Sequence, residues 1–255
     1  MTWEVYGTYT KNVNKVSNLD APVVIGGYSG MSIVAANGLP YGNFYSQDIQ
    51  HDSQGRVIVS STTGLPLLTP TAVYLGSYNP DYIASLGTNL TYKGISLGVL
   101  FDTKQGGKFF SRTKDILAFV GASEETVIGD RAGYVFPNSV YTDASGKIVE
   151  NTTVKFTPQD YYPNRIDGQN IVDATYIKLR ELNLSYNFTK KTLARTPFGS
   201  ATISLYGTNL WIKTASENKY ADPEINSAGA GNTQGFDFTA QPSVRNYGVN
   251  IKFTF

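Results

Sequence analysis

Six segments of this 255-residue chain alternate residue by residue between apolar and polar side chains, and the connections between them run long, short, long, short, long. Period-two alternation sustained over about ten residues marks a β-strand with one apolar and one polar face. In the first segment Trp3, Val5, Gly7 and Tyr9 alternate with Glu4, Tyr6, Thr8 and Thr10. In the second, Leu86, Thr88, Leu90 and Tyr92 alternate with Gly87, Asn89 and Thr91. After Lys93-Gly94, a tight hairpin turn, Ile95, Leu97, Val99 and Phe101 alternate with Ser96, Gly98, Leu100 and Asp102. The fourth sets Leu182, Leu184, Tyr186 and Phe188 against Glu181, Asn183, Ser185 and Asn187. Its phase slips near Arg180, because Ile177 and Leu179 lie on the other parity, which predicts a β-bulge or a departure from the membrane zone there. In the last, Tyr247, Val249, Ile251, Phe253 and Phe255 alternate with Gly248, Asn250, Lys252 and Thr254. The expected strands are 2 to 11, 82 to 93, 95 to 106, 175 to 189, 201 to 214 and 244 to 255, in consecutive antiparallel hairpin order.

The alternation of connection lengths limits the architecture. Outer-membrane barrels carry short turns on the periplasmic side and long loops outside, whereas soluble sandwiches scatter loop lengths over both ends. The fold class expected is therefore all-β, an antiparallel up-and-down transmembrane barrel segment of about six strands with long extracellular loops. In that arrangement the apolar parity meets lipid, and Asn89, Asp102, Glu181, Asn183, Asn187 and Asn250 face the lumen. The alternative is a secreted β-sandwich that binds carbohydrate through Tyr-rich loops, since sandwich strands alternate as well. No run of 18 apolar residues occurs, so a helical span is excluded. The chain starts inside an alternating pattern without a basic n-region or apolar h-region, so it reads either as cytosolic or as not starting at its natural beginning.

Composition removes most chemistry. With 21 Lys and Arg against 20 Asp and Glu there is no net field for nucleic acid, and with no Cys and one His there is neither a thiolate site nor a basis for a zinc site or triad. His51, beside the turn Asp52-Ser53-Gln54-Gly55, reads as a solvated loop residue. Asp143-Ala144-Ser145-Gly146 repeats that turn pattern and lacks the remaining acidic ligands of a calcium loop, so each of the two tetrads predicts a small hairpin within a long loop. A short helix is expected over 115–123, and no catalytic residue, metal site or cofactor is assigned. The aromatics Trp3, Tyr92, Trp211 and Tyr247 fit an interfacial girdle, while Tyr161-Tyr162 and the run 74–82 are candidates to stack on sugar rings or dock a partner.

Several strings resemble one family. Gly76-Ser77-Tyr78-Asn79-Pro80-Asp81-Tyr82, then Leu90-Thr91-Tyr92-Lys93-Gly94-Ile95-Ser96-Leu97 and Lys104-Gln105-Gly106-Gly107, resemble the C-terminal barrel region of SusC/RagA-type TonB-dependent outer-membrane transporters of Bacteroidetes. So do Asp173-Ala174-Thr175-Tyr176-Ile177-Lys178-Leu179-Arg180-Glu181-Leu182-Asn183-Leu184-Ser185-Tyr186 and Gly207-Thr208-Asn209-Leu210, and less sharply Asn14-Lys15-Val16 and Tyr41-Gly42-Asn43-Phe44-Tyr45. The resemblance implies a plugged barrel of about 22 strands. It also implies a SusD-like surface lipoprotein as partner, energy from TonB through the plug, and import of glycans or peptides. Residues 1–255 would be the C-terminal part of that barrel, its last six strands, with the plug and the earlier strands absent. The final strand, with Tyr247, Phe253 and Phe255, resembles the assembly signal read by the barrel-insertion machinery. Physics requires partners for such a piece. A barrel needs at least about eight strands, and each open edge leaves about ten backbone groups unpaired in hydrocarbon, at several kcal/mol apiece.

Overall fold

In the computed structural model, which describes residues 1–28, 30–162 and 166–255, the six strands form one antiparallel sheet in chain order. They are β1 (Thr2–Thr10), β2 (Tyr82–Tyr92), β3 (Ile95–Gln105), β4 (Tyr176–Asn187), β5 (Ser200–Thr214) and β6 (Asn246–Thr254). The β2–β3 turn is a two-residue loop with positive φ at both positions, 47° at Lys93 and 86° at Gly94. That is the type I′ geometry whose twist matches the flanking strands. The bulge falls where the parity slipped: pairing shifts between Leu179 and Glu181 against both β3 and β5.

Register carries the alternation across the whole sheet. Val5 pairs with Thr88, Thr88 with Val99, Val99 with Leu182, Leu182 with Gly207 and Gly207 with Tyr247. Directly paired residues project to the same side, so the apolar parity of all six strands merges into one surface. That surface lies open, with Leu205 51% and Ile251 58% exposed. A sandwich would bury such a face under a second sheet, and the six strands do not divide into two sheets.

The buried core sits in the long segments, which are far more structured than decorated loops. Residues 23–28, 31–35, 43–46 and 73–77 form a four-stranded sheet, and 108–111 pairs with 171–173 and 236–237. Met31, Ile33, Phe44, Phe110 and Phe236 pack into one core drawn from all three long segments. Both turn tetrads close as expected, the Gly55 amide donating to the Asp52 carbonyl and the Gly146 amide to the Asp143 carbonyl. Their flanking strands then join: Val57 and Ile58 pair in parallel with Ser139 and Val140.

The helix in the second long segment, α1 (Arg112–Phe119), starts three residues before the expected 115–123. Ser111 is its N-cap, accepting from the Lys114 amide, and Asp237 accepts from the Ser111 hydroxyl at 3.0 Å and from the Thr113 amide at 3.3 Å. It stops early because Gly121 takes φ 73°. Tyr161 and Tyr162, read from sequence as candidates to stack on sugar rings or dock a partner, are only 8% and 6% exposed in a cluster with Phe156 and Ala118. A buried ring cannot stack on a ligand, so that reading is corrected. Tyr74 does remain exposed.

Candidate functional site: the polar face of the sheet

The opposite parity assembles into polar rows. Thr2, Thr91, Ser96, Ser185, Ser204 and Asn250 form one unbroken row of hydroxyl and amide groups across all six strands. In the next, Asn89 and Asn183 both pair with Gly98, and Asn183 pairs with Tyr206. Asn187 pairs with Thr202, whose hydroxyl donates to the Asn187 side-chain carbonyl at 2.6 Å. Glu181 pairs with Leu100 and Thr208. All six residues assigned to the lumen thus share one face. Tyr6 lies across Gly87 and Tyr206 across Gly248, and a Cβ on these glycines would come within 2.3 Å and 2.7 Å of the respective Tyr atoms.

At the long-segment end of this face the segment 215–243 is fastened to the sheet by charges. Lys178, 1% exposed, donates to Glu224 and, at 3.0 Å, to the Ser243 hydroxyl, and lies 3.8 Å from Asp222. Arg180 bridges Asp102 and Glu224, each at 2.5 Å, and also donates to the Asn209 side chain at 3.1 Å. The Tyr176 hydroxyl donates to Glu224 at 2.8 Å. The bulge places Arg180 there: Leu179 pairs with Trp211 and Glu181 with Thr208, leaving Arg180 opposite Asn209, which adopts φ 53°.

Burial alone would raise the Glu224 carboxyl. Hydrogen bonds from Arg180, Lys178 and Tyr176 outweigh burial and hold it at about 2. Asp222 behaves alike: burial raises it, and bonds from the Ser243 hydroxyl and amide, the Glu224 amide and the Lys178 charge bring it below the usual carboxylate range. Of this cluster, Asp102 alone was assigned to the polar face from sequence. Its Oδ1 is buried and has no hydrogen-bond partner among the described residues. Tyr176, Lys178, Arg180, Asp222, Glu224 and Ser243 were missed. Two cations within three residues of a strand assigned to a membrane were the available signal, since charge at membrane depth marks function.

The apolar face carries the other assigned residues. Trp3 and Tyr92 stand at the end with the short connections, and Trp211 and Tyr247 toward the end with the long segments, all four exposed. Phe253 stacks on Phe198 with ring centroids 4.5 Å apart, and Phe255 is tilted against the same ring at 5.3 Å. Phe198, from the connection before β5, was not anticipated.

Comparison with known proteins agrees in two independent ways. No family model matches the chain. Over 186 residues it is 25% identical to TonB-dependent receptor P3 of Formosa agariphila, covering 70% of this chain and 17% of that protein. Over 213 residues it is 27% identical to TonB-dependent receptor P26 of the same organism, covering 80% of this chain and 19% of that protein. It superposes on the RagAB peptide transporter with a TM-score of 0.65 and 16% identity, covering 99% of this chain and 27% of that one. In sequence the chain is similar to TonB-dependent receptors, and in fold to the RagAB transporter. The open-open state of the RagAB peptide importer gives a TM-score of 0.63 at 18% identity. This chain spans less than a fifth of the length of the two curated receptors.

Proposed function

We propose that the chain forms the last six strands of a TonB-dependent outer-membrane importer of the SusC/RagA type. The observation that carries this reading is the unbroken apolar face, exposed across six strands and backed by an equally unbroken polar one. Such a surface is stable against hydrocarbon and costly in water. In the complete protein the free edges of β1 and β6 pair with strands that this chain lacks, and a plug in the barrel receives energy from TonB. Short connections face the periplasm and the three long segments face outward, where a SusD-like lipoprotein caps the barrel. The role is transport, without catalysis.

For cargo, peptides are favoured over glycans. The fold neighbours are described as a peptide transporter and importer. The face itself offers amides and hydroxyls that pair with a peptide backbone irrespective of its side chains. The test uses the full-length parent, expressed in a Bacteroidetes host deleted for its own importers. Labelled oligopeptides should enter in a TonB-dependent manner, and labelled oligosaccharides of similar mass should not. Uptake that persists without TonB would refute the transport reading, and uptake of the oligosaccharide alone would refute the cargo assignment.

A further inference from the structure

The two short connections are both basic and free of acidic residues. Residues 93–94 and 188–199 contain Lys93, Lys190, Lys191 and Arg195 and no Asp or Glu, although the chain as a whole is nearly balanced. Among the described residues none of these four cations has an ion-pair partner. Lys93 instead lies over the Tyr92 ring, 5.2 Å from its centroid.

Directly beside them the apolar face is indented. Ile95, Leu184, Tyr186, Ile203 and Leu205 line an open groove of about 320 Å³ with almost no polar surface. The groove begins at the turn itself: Ile95 follows Gly94, and the Asn187 amide donates to the Gly94 carbonyl at 2.8 Å. Its other wall, Tyr186, stands four residues before Lys190 and makes an edge contact with Phe188, centroids 5.0 Å apart. An apolar slot bordered in the chain by two basic connections complements a molecule with a hydrocarbon chain and an anionic head.

We infer that this end of the sheet is a binding site for an anionic glycerophospholipid, one acyl chain lying in the Ile95/Leu184/Tyr186/Ile203/Leu205 groove and the phosphate among Lys93, Lys190, Lys191 and Arg195. The inference rests on the membrane reading above and adds a specific lipid, on the periplasmic leaflet. Cations near an anionic headgroup each strengthen binding by about fivefold. Removing three of them therefore weakens retention by roughly 100-fold.

The experiment is native mass spectrometry of the full-length barrel, released from detergent after equilibration with phosphatidylglycerol, phosphatidylcholine or lipid A. Wild type should retain phosphatidylglycerol and lose phosphatidylcholine. The triple variant Lys190→Gln, Lys191→Gln, Arg195→Gln should lose phosphatidylglycerol, as should Leu184→Trp, which fills the groove, while Lys252→Gln on the polar face should retain it. Heat-modifiability of each variant establishes that its barrel is folded, and the comparison of lipids on wild type needs no variant at all. Equal retention of phosphatidylglycerol and phosphatidylcholine, preference for lipid A, or full retention by the triple variant would overturn the site while leaving the membrane reading intact. A full-length protein that stays in solution without detergent would overturn the membrane reading itself.

Discussion

Lys178→Met in the full-length barrel should release the 215–243 segment from the sheet. The ammonium is fully enclosed and neutralises Glu224 and Asp222 together. Without it Glu224 keeps Arg180 and Tyr176, but Asp222, with a side chain only 6% exposed, becomes a buried anion with no cation. Breaking a buried pair by deleting one partner costs about 3–5 kcal/mol, and with one of the two carboxylates still compensated the lower end, about 3 kcal/mol, applies. That is roughly a 100-fold rise in the population of the detached segment. Two amides report on it directly, because those of Glu224 and Ser243 both donate to Asp222, each at 3.0 Å. Hydrogen exchange at these positions should accelerate by about that factor while exchange within β5 is unchanged. Unchanged protection of both amides would show that the segment is held by something other than this charge cluster, and the account of the site would fail.

Acidification should act on the same anchor. Glu224 and Asp222 are depressed below their ordinary values, so their contribution is complete above about pH 4.5 and is lost as the pH falls toward about 2. Protease sensitivity of residues 215–243 should appear in that window and be absent at neutral pH, and a segment equally sensitive at pH 7 and pH 3 would contradict the assignment. Ile251→Arg should destabilise the inserted barrel by about 2–4 kcal/mol, whereas Asn250→Arg, one residue away on the polar face, should cost far less, as read by denaturant unfolding in micelles. Equal effects would mean that the faces are misassigned. Deleting Phe255, or substituting Phe198→Ala beneath the stacked Phe253, should lower the heat-modifiable fraction in outer membranes more than total synthesis, and normal insertion of both would remove the terminal aromatic cluster from assembly.

The membrane strands were legible because their faces are set by solvents on either side, so each strand carries its own pattern and needs no distant partner to define it. The bulge at Arg180 and the turn at Lys93-Gly94 were legible for the same reason, being slips and stops within a local period. The long segments were not. Their order depends on Phe44, Phe110 and Phe236 meeting across wide sequence separations, and Tyr161 or Tyr162 looks locally like any surface tyrosine. The polar face followed from parity. Its charge cluster did not, because Asp222 and Glu224 reach Lys178 and Arg180 from a different segment, and only the presence of two cations in a membrane strand hinted that partners had to exist.

The shared core of the outer segments also sets a timetable. Asp237 caps the helix that begins at Arg112, and Phe236 packs on Phe44, nearly two hundred positions earlier. Such remote closures are slow, because chain entropy is surrendered before any contact repays it. Each joins the third long segment to an earlier one, so neither can form until that last segment is in place. The last of these contacts, at Asp237, lies nine residues before β6 begins at Asn246. Consolidation of the core shared by the three segments is therefore deferred until the last of them is made, although the four-stranded sheet of the first segment needs nothing later.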